Sequence, residues 1–135
     1  MTTRTRKSEL YQEEFDYIFG RKAPRVRGAV VASAFIEGQI LRLAKFFLEE
    51  HGVKFEPKKH QAYRQSLNIL ETNGKLSPEE SKDLEKFWTE RNKAIHGIFK
   101  EEMTRDGWEK QNRIVVELGR PIIKNLDKKL YPEEK

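Results

Sequence analysis

The sequence predicts an all-α protein, a bundle of four to five helices. Apolar residues recur at alternating spacings of three and four along most of the chain, and no segment alternates apolar and polar residues as a half-buried strand does. The 135 residues are 36% charged and 36% hydrophobic, a mixture typical of globular rather than disordered chains. The simplest organisation is one helical bundle at 24–131, preceded by an N-terminal arm at 1–23 that holds a short helix and a basic loop.

The first helix is predicted at 8–19, a short amphipathic segment that starts at Ser8. The basic loop that follows has four cations around a proline: Arg21, Lys22, Arg25 and Arg27. They lie at the start of the next helix, where backbone amides also favour anions. We expect them to contact the phosphates of a nucleic acid; the alternative is a solvated basic loop.

The second helix, predicted at 25–51, is the longest, and His51 and Gly52 form its stop signal. Two adjacent seams run along it, so its apolar arc is unusually wide. One seam consists of Ile36, Ile40, Leu43 and Phe47. The other consists of Val30, Ala34, Glu37, Leu41, Ala44 and Leu48. A helix with so wide an apolar arc lies either at the centre of a bundle or between a core and a subunit interface.

A third helix is predicted at 57–73, with Asn73 and Gly74 as its stop signal and with three inward residues, Tyr63, Leu67 and Leu70. The fourth begins with a strong signal. Ser77 and Glu80 have the spacing of a capping box, and Pro78 suits the first helical position. We expect this helix to run to about His96.

A loop is predicted at 97–107 and a last helix at about 105–130. The apolar set of this helix is Trp108, Val115, Leu118, Ile122 and Leu126. Gly119 and Pro121 predict a kink or a break within it.

Two charged residues occupy apolar positions of these helices. Arg91 falls on the line of Leu84, Trp88 and Ile95, and Glu37 falls in the middle of a seam of the second helix. Burying either charge alone costs several kcal/mol, so we hypothesise that the two side chains meet inside the bundle. The alternative to a functional role is a buried ion pair that fixes the register of the helices.

His96 ends the segment ERNKAIHG and adds chemistry to Arg91. A histidine that titrates near neutral pH can act as a general base or acid, and a planar guanidinium suits a phosphate. Asn92 adds a neutral donor and acceptor. An ideal helix places residues 91 and 96 about 140° apart, so they converge on one ligand only if the helix turns at Gly97 or a second subunit completes the site. The alternative for His96 is a C-terminal helix cap.

The segment RNKAIHG resembles the Arg-x4–6-His signature of HEPN domains, with Arg91 and His96 at the motif positions and Asn92 as the usual polar neighbour. The segment VVASAFIEGQILRLAKFFLEE resembles the long earlier helix of that family, in which an acidic residue often stands, here Glu37. The resemblance covers about 25–130. It implies a helical bundle that dimerises and brings two motifs to one cleft.

Many HEPN proteins are metal-independent endoribonucleases of toxin–antitoxin, antiviral or RNA-processing systems, and others are binding modules without activity. The resemblance therefore implies a ribonuclease with Arg91, Asn92 and His96 in its site and Glu37 in a supporting role. RNA, a second copy and an antitoxin or other protein are the implied partners. The alternative is a non-catalytic module that binds RNA, nucleotide or protein.

Composition limits the remaining possibilities. The formal net charge of +5 makes an acidic partner plausible, although such a charge also serves solubility. Without cysteine, disulfides are excluded and a cytoplasmic location is expected. No signal peptide, membrane span or cofactor motif is expected. No metal site is expected either, because His51 and His60 stand nine residues apart without a carboxylate cluster.

Overall fold

The structure, a computed structural model, describes residues 7–20, 25–99 and 103–132, and within these ranges it contains five α-helices and no strand. The helices are α1 (Glu9–Ile18), α2 (Arg25–Glu50), α3 (Ala62–Thr72), α4 (Pro78–Phe99) and α5 (Arg105–Leu130). A single turn of 3-10 helix, Lys59–Gln61, leads into α3. The predicted all-α bundle is confirmed.

The bundle is organised around α2, which packs against α1, α3 and α5, while α4 packs against α5. The face of α2 that enters the core includes Ala32, Ile36, Ile40 and Ala44, each of which is fully buried. Its small residues let neighbouring helices approach. On α5, Gly119 serves the same purpose, since a Cβ atom there would lie 3.0 Å from Cε1 of Phe87.

Local sequence signals set the helix starts and stops. The Ser8 hydroxyl accepts a hydrogen bond from the Tyr11 N–H (3.1 Å), and the predicted capping box forms. The Glu80 N–H donates to the Ser77 hydroxyl (3.1 Å), and the Ser77 N–H donates to the Glu80 carboxylate (2.8 Å). Gly52 and Gly74 adopt φ of +71° and +68°, the left-handed conformation in which glycine ends helices.

The carboxylate of Glu80 also joins α4 to α5. It accepts from Asn125 and pairs with Lys129 at 3.1 Å. Burial raises the pKa of Glu80, but the hydrogen bonds from Ser77, Asn125 and Lys129 outweigh burial and hold the pKa below its ordinary value. The ionised carboxylate therefore stabilises the folded state.

Replacing Glu80 by alanine is expected to lower the free energy of unfolding by about 1 kcal/mol at pH 7. Because the folded-state pKa is depressed, this stabilisation is present above the ordinary carboxyl pKa and is lost as the pH falls through the folded value. Urea unfolding of both proteins between pH 7 and pH 3 measures the difference, which should shrink below the ordinary pKa of 4.5. Glu85→Ala, an exposed change on the same helix, should show no comparable loss; a difference independent of pH would contradict the assignment.

Three expectations about helix bounds need correction. The regular part of α3 begins at Ala62, later than predicted. α4 does not stop at His96-Gly97 but continues to Phe99. Gly97 is buried in the helix, where an added Cβ would lie 2.9 Å from Cε of Met103, so it permits close packing rather than a stop.

The predicted break at Gly119 and Pro121 does not occur, because α5 runs without interruption from Arg105 to Leu130. Pro121 removes one backbone donor, which leaves the carbonyl of Glu117 without its usual helical partner. Both residues are exposed, so water can satisfy that carbonyl. Buried residues on both sides, Val115 and Leu126, hold the helix against the core.

The two seams of α2 differ mainly in the first half of the helix. Ile36, Ile40 and Leu43 of the first seam are buried. In the second seam Val30 is 64% exposed and Ala34 and Glu37 are also exposed, whereas Ala44 is buried. The wide apolar arc is therefore shared between the core and a surface. Gly38 lies on this surface, and a Cβ atom added there would meet nothing within 4 Å.

Gly38→Ala is expected to raise the free energy of unfolding by roughly 0.5–1 kcal/mol, because alanine loses less conformational entropy than glycine in a helix. Urea unfolding at low protein concentration measures this gain. Gly119→Ala is the matched control within a helix. It should not stabilise the protein, since the Phe87 ring would have to move. No gain at Gly38 would mean that the exposed face of α2 is constrained in some other way.

Candidate functional site

A cavity of about 190 Å³ opens between α2, α4 and α5. Its walls are mainly apolar, and four polar side chains reach it: Ser33, Glu37, Arg91 and Asn112. Ser33 and Asn112 are buried and bonded to backbone carbonyls, Ser33 to Ala29 (2.9 Å) and Asn112 to Trp108 (2.8 Å). Arg91 and Glu37 are the charged side chains of this cavity.

Arg91 is half-buried, with its guanidinium over the ring of Trp88 at 5.3 Å from the centroid. Its Nη1 donates to Oδ1 of Asn92 at 3.3 Å. Among the described residues it forms no ion pair. A guanidinium that is positioned by an aromatic ring and an amide, without a carboxylate partner, keeps several donors for an anion.

The hypothesis of a buried pair between Arg91 and Glu37 is wrong. Both residues line the cavity, but Glu37 is exposed, and within the described ranges the two form no ion pair. The reason is that α4 is rotated slightly about its axis, relative to the orientation in which the line of Leu84, Trp88 and Arg91 would face the core. Its core face consists of Leu84, Phe87 and Ala94, so the line through Trp88 and Arg91 runs along the boundary between core and surface.

Tyr63 supports the Trp88 ring from α3, a contact that the sequence did not predict. Trp88 Nε1 donates to the Tyr63 hydroxyl at 2.7 Å, and the rings meet edge to face at 5.2 Å. Burial raises the pKa of Tyr63 to about 12; the Trp88 hydrogen bond lowers it, and the charges of Glu37 and Glu71 raise it. Tyr63 is therefore neutral at physiological pH and fixes the ring on which Arg91 lies.

Two hydrogen bonds fasten the Arg91 segment of α4 to α5. Trp108 Nε1 donates to the carbonyl of Ala94, and Gln111 Nε2 donates to the carbonyl of Glu90, both at 2.9 Å. These carbonyls flank Arg91 and Asn92 along the helix. The backbone that presents both side chains is thus attached to the core at two points.

His96 is exposed in the last turn of α4 and does not line the cavity. The helix continues past Gly97, so the turn that would bring His96 back toward Arg91 does not form. In a continuous helix, five residues separate the two side chains by about 140° and about 7.5 Å of rise. Within one chain, Arg91 and His96 therefore face different directions.

The predicted basic cluster is described in part. Arg21 and Lys22 lie outside the described residues, and of Arg25 the structure describes the backbone, at the first position of α2. Arg27 is exposed and stacks over the Tyr17 ring at 4.7 Å. It lies one helical turn before Val30, which lines the Arg91 cavity.

The fold brings two further cations to the same end of α1. Arg120 and Lys124 of α5 lie over the Phe19 ring at 6.0 Å and 5.0 Å. Sequence reasoning missed both, because about 100 residues separate them from Phe19 and no local pattern connects them. A basic surface with aromatic rings is typical of proteins that bind single-stranded nucleic acid.

Comparisons with protein-family models, with curated proteins and with solved structures found no match to this chain. The resemblance to HEPN domains therefore depends on the residues of the motif and the order of the helices. No group of three or more metal-binding side chains gathers in the described part of the chain. No helix there is both long and apolar enough to cross a membrane.

Proposed function

We propose that the protein is a metal-independent endoribonuclease of the HEPN type, whose active site is formed by two copies of the chain in the cytoplasm. The observation that carries the proposal is the state of Arg91. Its guanidinium lies at the edge of a cavity, is held by Trp88 and Asn92, and forms no ion pair among the described residues. A cation positioned in this way suits a phosphate group.

The directions of Arg91 and His96 support a composite site. In one continuous helix they lie about 140° apart, so the two cannot act on one phosphate from the same chain. If Arg91 of one copy and His96 of the other share a phosphate, two equivalent centres arise about a two-fold axis. An exposed His96 at the end of α4 is accessible to a second copy.

The proposed reaction is transesterification within the RNA strand. His96 removes the proton from a 2′-hydroxyl, whose oxygen attacks the adjacent phosphorus while the bond to the 5′-oxygen breaks. Arg91 stabilises the negative charge that develops on the phosphate oxygens. The imidazolium formed in this way returns the proton, directly or through a water molecule, to the leaving 5′-oxygen. The products are a 2′,3′-cyclic phosphate and a 5′-hydroxyl.

The neighbouring residues position these groups. Asn92 orients the guanidinium through its hydrogen bond, and Trp88 limits its rotation. Glu37 borders the same cavity and supports Arg91 through its charge at longer range. The cations near α1, Arg27 together with the sequence-predicted Arg21, Lys22 and Arg25, are proposed to contact the RNA backbone.

A second candidate function is a non-catalytic module that binds RNA, nucleotide or a protein partner such as an antitoxin. The position of His96 outside the cavity favours it, because a ligand in the cavity would contact Arg91 without contacting His96 of the same chain. In that case Arg91 would hold an anionic group, and His96 would serve as a favourable charge at the end of α4. Both functions fit toxin–antitoxin or antiviral systems.

Cleavage in the presence of excess EDTA distinguishes the two functions. Purified protein is incubated with structured and single-stranded RNA, and the product ends are identified. We expect cleavage that leaves cyclic phosphate and 5′-hydroxyl ends. Binding without cleavage over a broad panel of RNA, by protein that is folded and dimeric, would favour the module. Cleavage that EDTA abolishes would contradict the proposed chemistry.

A further inference from the structure

A second, larger concavity lies next to the Arg91 cavity, on the other side of the exposed α2 residues Val30 and Ala34. It is a groove of about 470 Å³ between α1 and α2, and its walls are almost entirely apolar. The side chains on its rim include Leu10 and Val30, which are 68% and 64% exposed. Apolar side chains clustered at a groove mark a contact surface more often than scattered ones do.

The groove and the Arg91 cavity share a wall. Val30 and Ala34, one turn apart on the exposed face of α2, line both. The groove lies on the α1 side of these two residues, and the cavity lies on the side of α4 and α5. Between these two residues and the end of the groove lies Gly38, where an added side chain would meet open space. A molecule seated in the groove would therefore rest on small residues and lie close to the mouth of the cavity.

The groove carries one charge of each sign. Arg42 lies within 5.7 Å of the ring centroids of Tyr11, Phe46 and Tyr131, and Glu14 lies on the α1 wall. Neither forms an ion pair among the described residues. Burying either without a partner would cost several kcal/mol, so an occupant must supply one charge of each sign.

The contacts between α1 and α2 give the spacing of these charges. The rings of Tyr11 and Phe15 both contact Phe35, at 4.6 Å and 6.0 Å, so Glu14, between them in sequence, lies level with Phe35. Arg42 is seven residues further along α2, so its backbone lies roughly 10 Å along the helix from that of Phe35, and its guanidinium lies 5.7 Å from the Tyr11 ring centroid. A cation and a carboxylate thus lie at separate points along an apolar groove.

We propose that this groove binds a second copy of the chain in a two-fold arrangement, with Arg42 of each copy paired to Glu14 of the other. A two-fold interface joins the same patch on both subunits, so a patch with one cation and one carboxylate at its ends satisfies both charges by pairing with itself. A partner with one sign of charge would leave the other group buried and unpaired.

This contact specifies which face would form the composite site. Because the groove adjoins the Arg91 cavity, the second copy would lie against the cavity mouth, where the other His96 is required. The link to catalysis rests on the proposed function. The association itself does not, and it can be measured in the absence of RNA.

Sedimentation equilibrium over a range of protein concentrations tests the contact. The wild-type chain is expected to be a dimer. Glu14→Arg or Arg42→Glu should weaken association at least about tenfold, because like charges then face each other. The double variant, which exchanges the two charges, should restore it. A wild-type chain that stays monomeric would overturn the proposal, as would an unchanged dimer in the single variants or a double variant that is not restored.

Matched controls separate this pairing from general charge effects. Glu13→Arg changes the exposed carboxylate beside Glu14, and Lys45→Glu changes an exposed cation one turn beyond Arg42; neither residue lines the groove. Both should leave association unchanged. Since Arg42 contacts three rings and its replacement can disturb α1, circular dichroism checks the fold of each variant.

Gly38→Trp provides a test that does not depend on charge. It places an indole in the groove, where the monomer has open space, and it should give a folded monomer. A folded dimer in this variant would overturn the proposal. If the substitutions change dimerisation as expected and no RNA is cleaved, the proposed interface is supported and the proposed ribonuclease activity is wrong. If RNA is cleaved and these substitutions do not change the strength of dimerisation, the proposed ribonuclease activity is supported and the proposed interface is wrong.

Discussion

Replacing His96 by alanine is expected to reduce the rate of RNA cleavage at least about 100-fold, since a positioned general acid or base contributes roughly 10²–10⁴ to a rate. In each proposed centre one His96 removes the proton and then returns it to the leaving group, so both steps are affected. The imidazole is exposed at the end of α4, and its removal should leave the fold intact. Initial rates in EDTA, together with thermal unfolding, measure both effects.

The matched control for this prediction is His60→Ala. His60 is also exposed and lies in the 3-10 turn before α3, outside the Arg91 cavity. Its replacement should leave the cleavage rate unchanged. Full activity of a folded His96→Ala protein would remove His96 from the mechanism. Equal loss in both variants would indicate an effect on RNA binding by surface charge in general.

Replacing Arg91 by alanine is expected to lower the cleavage rate by about 10²–10³, the usual effect of removing a donor that stabilises developing charge. Arg91→Lys should recover part of this loss, because it keeps the charge but not the planar set of donors. Arg113→Ala, an exposed change on α5, is the control and should have no such effect. Full activity of the Arg91→Ala protein would show that Arg91 does not take part in cleavage and only packs on Trp88.

Mixing two inactive proteins tests whether Arg91 and His96 act across the subunit boundary. In a mixed dimer of Arg91→Ala and His96→Ala chains, one centre keeps its arginine and the histidine from the other chain that serves it. We expect partial recovery of cleavage, roughly a quarter of the wild-type rate when the subunits exchange freely. No recovery, with mixed dimers demonstrated, would mean that both residues act from one chain or that both centres are required.

Local chemistry accounts for what the sequence predicted correctly about the fold. The start of α1 after Ser8, the box of Ser77 and Glu80, and the helix stop at Gly52 depend on hydrogen bonds and φ angles within a few residues. Such interactions depend on residues that are close together in the sequence. The helices were therefore found in the right order and, apart from α3 and the end of α4, near the right bounds.

The wrong predictions share a different origin. Gly97, Gly119 and Pro121 were interpreted as helix ends or breaks, but each lies within a helix that tertiary contacts hold together. Glycine in a helix can also serve close packing against another side chain, as Gly97 does against Met103 and Gly119 against Phe87. Sequence alone does not distinguish these uses, because the contact depends on how the following segment or another helix packs against the glycine.

For the site, the sequence by itself determined the candidate residues, Arg91, Asn92 and His96, and their spacing on one helix. It also indicated an unusually wide apolar arc on α2, and the structure decided that this arc is shared between the core and a surface. The tertiary structure decided that Glu37 and Arg91 line a cavity without pairing, that Tyr63 and Trp88 position the guanidinium, and that Arg120 and Lys124 join Phe19. Helical spacing fixes directions around one axis, whereas the rotation of each helix against its neighbours depends on packing across the whole bundle.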